Sequence, residues 1–171
     1  MSDHQPDGYT TVAPWLVTDD TAALLAFIET AFEGEELARV PTEDGGIGHA
    51  EIRIGDSIVL AFDAQPDWPP LPALLRVWVP DPDAAVARSV SAGTVIVTPL
   101  DDNAFGQRGA RVRDPFGNIW WIDCQREQVD EAEMWRRLAL PRYAEDMRRA
   151  QETLDVELSG RATGRSSAVR R

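Results

Sequence analysis

The chain has 171 residues and a mass of 18.9 kDa; 43% of its residues are hydrophobic and six are Trp, enough apolar material for one packed core and too much for wholesale disorder. Its formal charge of −12 argues against nucleic acid or an anionic membrane as a partner. All 17 basic residues are Arg, which excludes a Schiff-base lysine and a Walker-type phosphate loop, while two His and one Cys exclude an intrachain disulfide and a multi-histidine or Cys-based zinc site.

Met1 to Asp7 lacks the basic start and apolar core of a secretory signal, and no apolar run approaches the ~20 residues that cross a bilayer, so a cytoplasmic protein with a flexible leader over 1–8 is expected. A strand-like stretch runs from Tyr9 to Val17. Thr18, Asp19, Asp20 and Thr21 then offer capping oxygens for a helix whose Ala22, Leu25, Ile28 and Phe32 recur at helical spacing, with Gly34 placed to stop it. Three strands follow, over Leu37 to Val40, His49 to Ile54 and Ser57 to Phe62, the last two joined by a Gly55-Asp56 turn. A proline-rich connector covers Asp63 to Pro72.

The order then repeats. Leu74 to Val79 reads as a strand, Asp81-Pro82-Asp83 opens a helix that ends near Gly93, and Thr94 to Val97, Gly109 to Arg113 and Asn118 to Asp123 read as strands. Asn103 to Arg108 is a hairpin connector or a lid. The strings around Asp19 and Asp81, and the turn glycines Gly55 and Gly117, are both related by 62 residues, which points to a duplicated βαβββ module over 9–63 and 73–126. Residues 127–158 read as a helical appendix broken at Pro141, with Tyr143, Met147, Ala150, Leu154 and Leu158 forming a stripe suited to its own domain or a dimer partner. An Arg-rich, Gly/Ser-rich flexible tail is expected over 159–171.

Two βαβββ halves, the run Arg113-Asp114-Pro115-Phe116-Gly117-Asn118-Ile119-Trp120 and the first-half string from His49 to Ser57 resemble the glyoxalase/bleomycin-resistance group of the vicinal oxygen chelate superfamily. The likeness covers roughly Tyr9 to Arg126. It implies an α+β fold in which two modules form curved mixed sheets around a cavity, often paired in a homodimer. In metal-dependent members, a His or Glu in the first and last strand of each half holds a divalent ion. The 62-residue repeat puts Val12, Val59, Leu74 and Trp121 at those places, and none of these can ligate a metal, so neither a metal nor another cofactor is expected.

Strand alternation extends the cavity face from those four to Arg76 and Trp78, and in the third strand to His49 and Glu51, and the repeat gives Arg111 and Arg113 the equivalent place in the other half. Val12, Val59, Leu74, Trp78 and Trp121 would supply apolar and aromatic wall, and His49, Glu51, Arg76, Arg111 and Arg113 its polar groups, the composition of a small-molecule site. The plainer alternative is a collapsed barrel in which the tryptophans fill space and Arg76 pairs with Glu51. The leading expectation is a metal-free protein that binds or sequesters an aromatic or charged organic ligand, of either charge sign, as bleomycin-resistance members do their drug. Alternatives are a superfamily enzyme of lyase, isomerase or dioxygenase type, using His49 and Glu51 as acid and base or an unrecognised metal site, and an assembly module driven by the helical appendix.

Overall fold

The computed structural model describes residues 4 and 6–162, with 161 and 162 as backbone only. Its first module runs β1 (Trp15–Thr18), α1 (Thr21–Phe32), β2 (Glu35–Pro41), β3 (Ile47–Ile54) and β4 (Ser57–Asp63). The second runs β5 (Leu74–Trp78), α2 (Pro82–Ser91), β6 (Val95–Asp102), β7 (Gln107–Arg113) and β8 (Ile119–Gln125), and α3 (Glu131–Leu138) and α4 (Pro141–Ala162) follow. Each module is a four-stranded mixed sheet of the same topology, β1-β4-β3-β2 and β5-β8-β7-β6, in which the first strand pairs in parallel with the last. The fold is thus α+β with two βαβββ units.

Local chemistry sets the boundaries. The first strand begins at Trp15 rather than Tyr9, because Pro14 has no N–H to donate and joins the sheet only through its carbonyl, which accepts from the Leu60 amide at 2.9 Å. Asp20 and Asp81 cap α1 and α2, their carboxylates accepting from Ala23 and Ala84. The helix stop differs from expectation: Glu33 adopts the left-handed conformation (φ 57°), while Gly34 is needed for close approach, since a Cβ there would lie 2.9 Å from Ile28. Pro141 takes the first position of α4, where a missing N–H costs nothing, and the helix continues through Ser159–Ala162, where the sequence suggests a tail. Once several turns exist, each added residue gains a hydrogen bond without a new nucleus. The remaining Arg-rich residues, 163–171, and residues 1–3 and 5 of the leader lie outside the described residues.

One core serves both modules. Leu16, Leu24, Leu25, Phe27, Ile28, Ile52 and Val59 of the first join Val77, Val86, Val112, Trp120 and Ile122 of the second in a single buried cluster, with Trp120 at 4.7 Å from Phe32. The Asp-Pro-Phe-Gly-Asn turn anchors it: buried Asp114 accepts from the amides of Phe116 and Asn118, the Asn118 side chain and Trp120 Nε1. The helix side of each sheet is spent on this core. Site chemistry is left to the opposite faces.

Candidate functional site

Register decides which side chains reach those outer faces. The helix caps Asp20 and Asp81 are 61 residues apart, and the pairs Leu16↔Ala61 and Val77↔Ile122 occupy equivalent places at that same spacing. The 62-residue offset drawn through Gly55 and Gly117 fails because the glycines are not equivalent: Gly55 opens a two-residue turn, whereas Gly117 is fourth in the longer turn after Arg113. A slip of one reverses every side chain of a strand. Val59 is therefore not a cavity residue; it is buried on the helix side opposite Ile52. Val12 precedes the first strand and is 81% exposed. The outer-face residues in their stead are Trp15 and Leu60, side by side in the sheet as Arg76 and Trp121 are in the other.

His49 and Glu51 share the outer face of the first sheet, His49 Nε2 lying 3.0 Å from Glu51 Oε1. The hydrogen bonds from His49 and then from Tyr9 hold the Glu51 carboxyl below its ordinary range. Trp15 packs edge-on against His49 (5.6 Å) and Phe62 (5.3 Å), and Phe62 against Trp68. This aromatic row is half open, Trp15 being 47% exposed.

The second sheet carries the denser constellation. The Asp123 side chain is 0% exposed and accepts from Arg76 Nε at 2.6 Å, while Arg76 Nη2 donates to Gln107 Oε1 at 2.8 Å. Arg76 thus pairs with Asp123, not with Glu51. Gly109 makes room for that carboxylate, since a Cβ on it would lie 1.9 Å from Asp123 Oδ1. Burial pushes the Asp123 carboxyl up, against the pull of Arg76 and Arg111. Arg76 stacks over Trp78 (4.4 Å) and Trp121 (4.8 Å), and Arg111, only 6% exposed, lies 3.9 Å from the Trp121 ring. Leu74 and Trp78 sit on the same face, more than half exposed. Arg113 is tied to Glu157 of α4 at 3.2 Å.

Helix α4 roofs this face. Arg111 Nη1 donates to the Ala150 carbonyl at 2.7 Å, Thr98 meets Thr153 at 2.8 Å, and Arg149 bridges Asp101 and Asp146. Sheet and helix enclose a cavity of about 330 Å³ whose walls include Arg76, Arg111, Trp121, Phe105, Tyr143 and Met147. The expected site residues therefore divide: Arg76, Arg111 and Trp121 line the cavity, Leu74 and Trp78 share its face outside the lining, Arg113 lines a separate groove with Phe116, Val156 and Glu157, and His49 and Glu51 lie on the other sheet. The hairpin after Asn103 forms part of the wall and is pinned, with Gln125 Nε2 donating to the Phe105 carbonyl and the Arg126 and Glu127 amides to that of Gly106. Asp123 was missed, although alternation from Trp121 puts it on the same face.

A divalent metal does not fit these faces. Trp15, Leu60 and Trp121 offer no ligand, Arg76 repels a cation, Asp123 is engaged by Arg76, and His49 and Glu51 are hydrogen-bonded to each other. Among the described residues, no three His, Cys, Asp or Glu side chains gather as a ligand set, and no helix is long and apolar enough to cross a membrane.

Comparison with known proteins agrees with this architecture. An uncharacterised protein of Mycobacterium bovis is 36% identical over 134 residues, covering 72% of this chain and 88% of its own length. The crystal structure of TioX from Micromonospora sp. ML1 superposes with a TM-score of 0.56 at 28% identity, over 68% of this chain and 98% of TioX. The fosfomycin resistance protein FosX from Mesorhizobium loti shares the fold at a TM-score of 0.54 and 14% identity, over 75% of this chain and 98% of FosX. The profile of the Glyoxalase/Bleomycin resistance protein/Dioxygenase superfamily matches residues 8–122, and the chain belongs to that superfamily.

Proposed function

We propose that the chain is a small-molecule-binding protein of the glyoxalase/bleomycin-resistance type, which holds or sequesters an aromatic or charged organic ligand without a metal. The observation that carries this reading is the cavity under α4, where two guanidinium groups and a buried carboxylate surround Trp121. Buried charge is expensive unless it is used or fully paired, and an aromatic wall with a few fixed polar groups is the make-up of a ligand site. A cytoplasmic location and a homodimer are part of the proposal, the dimer supported by the half-open row of Trp15, Phe62 and Trp68, an apolar surface suited to a second copy. Native mass spectrometry of protein purified without chelator reads dimer, metal and ligand together. The expected species is a metal-free dimer carrying an organic adduct that Trp121→Ala removes. One divalent ion per subunit, or an adduct indifferent to Trp121→Ala, would overturn the reading.

A second reading, acid–base catalysis on the first sheet, is favoured by the 3.0 Å contact of His49 with Glu51. It requires turnover that His49→Ala abolishes while ligand affinity is kept.

A further inference from the structure

Resting on the ligand site proposed above, we infer that its occupant is an organic anion, a carboxylate or comparable oxyanion on an apolar body, whose charged group meets Arg111 and Arg76. Strands β5, β7 and β8 bring two guanidinium groups and one carboxylate to the cavity, Arg76, Arg111 and Asp123, while β6 adds Asp101 and Asp102. Asp123 accepts from Arg76 Nε through Oδ2 at 2.6 Å, while its Oδ1 is buried with no hydrogen-bond partner among the described residues. Arg111 is left with neutral acceptors only, the Ala150 carbonyl and, at 3.3 Å, Thr98 Oγ1. Its Nε–H is buried and has no acceptor among the described residues. A guanidinium carries five N–H donors and does not lose its charge, so this side chain, on the cavity wall, holds a positive charge to which no carboxylate is hydrogen-bonded. Burial, with Arg76 as a like-charged neighbour, works against the Arg111 cation, and Asp123 only partly offsets this. An anion from outside balances that charge.

The acids around the cavity do not supply that anion. Asp101 and Asp146 share Arg149, and Asp102 faces Arg108 at 3.6 Å. Asp101 and Asp102 have side chains more than half exposed, where water screens them. Above the guanidinium groups, Phe105, Tyr143 and Met147 provide apolar wall for the body of the ligand. Two of those three belong to α4, so the helix that contributes its Ala150 carbonyl to Arg111 also shapes the apolar half of the site. Position and charge together favour a ligand with an anionic end turned to the sheet and an apolar end turned to the helix.

Three naphthalenes of one shape separate the possibilities: 2-naphthoate, neutral 2-naphthamide and cationic 2-naphthylmethylamine, titrated calorimetrically into the full-length protein. The expected result is that naphthoate binds about ten-fold more tightly than the amide, the scale of a charge-assisted hydrogen bond, and that the amine binds most weakly. In Arg111→Met the ratio of naphthoate to naphthamide affinity falls to about one, a ratio that cancels any loss common to both ligands from the missing Ala150 contact. A salt series on the unmutated protein gives the same information without a variant, because added salt weakens naphthoate more than naphthamide. Equal binding of naphthoate and naphthamide, or preference for the amine, overturns the anion and leaves the cavity as a ligand site. Failure of all three to bind overturns the cavity reading together with it.

Discussion

Asp63 closes the first module by accepting from two distant amides, Thr21 at the start of α1 (2.8 Å) and Ile47 at the start of β3 (2.7 Å). Burial works to raise its carboxyl, but the Ile47 and Thr21 donors outweigh that, and the group sits below its ordinary range. The folded state therefore prefers the carboxylate. Its contribution to stability is fully present above the ordinary Asp value of about 3.9 and is lost as pH falls through the lower folded value. Asp63→Asn keeps one acceptor and turns an N–H towards the other amide, at a cost of about 1–3 kcal/mol at neutral pH. Urea midpoints at about pH 6 and about pH 3 should fall further for the unmutated protein than for Asp63→Asn. An equal fall in both proteins would mean that Asp63 has no part in acid sensitivity. Asp123 shows the opposite balance, because burial outweighs Arg76 and raises its carboxyl.

Among the elements, α4 is held in a different manner from the strands beneath it. Its anchors are polar: Arg111 on the Ala150 carbonyl, Thr98 on Thr153, Arg149 on Asp101 and Arg113 on Glu157. Its described side chains include none that is fully buried, whereas β8 buries Ile119, Trp120 and Ile122. Local opening follows burial, so amide hydrogen exchange of α4 should be orders of magnitude faster than that of β8, and ligand should slow it. Protection of α4 equal to that of β8 would show the helix to be part of the cooperative core. Elements of this kind were legible in the sequence by type, since caps such as Asp20 and Asp81 and the alternation from His49 to Ile54 are local signals. Register was not. The second turn after Arg113 is longer than the Gly55-Asp56 turn, which shifts one glycine by a residue and moved Val59 to the wrong face of its strand. The second-sheet residues Arg76, Trp78, Arg111 and Trp121 lie together on the outer face although the same repeat places them, since β3 and β7 differ by an even offset that keeps Arg111 on the face of His49. The roof over them was beyond sequence reading, because the stripe from Tyr143 to Leu158 states that α4 packs but not against which face.

At the scale of the whole molecule, the two modules stand or fall together if their single core is as continuous as it is packed. Trp120 tests this, since it belongs to the second sheet yet stacks on Phe32 and Phe27 of the first module's helix, at 4.7 and 6.3 Å. It is fully buried, and its Nε1 donates to Asp114 Oδ2 at 2.9 Å, which ties the core to the turn before β8. Trp120→Ala empties the space of an indole and leaves Asp114 one donor short, a combined cost of about 3–5 kcal/mol or more. Against a typical domain stability of about 5–15 kcal/mol, that is a large share. Because the lost contacts belong to both modules, the variant should unfold in one transition at a lower urea midpoint, with protection lost together in β3 and β7. Trp120→Phe, which restores a ring against Phe32 but not the hydrogen bond, should recover most of the midpoint. If β3 keeps its original midpoint in Trp120→Ala while β7 unfolds early, the modules are separate cooperative units. The 61-residue repeat would then describe two folding domains placed side by side rather than one domain built from two halves.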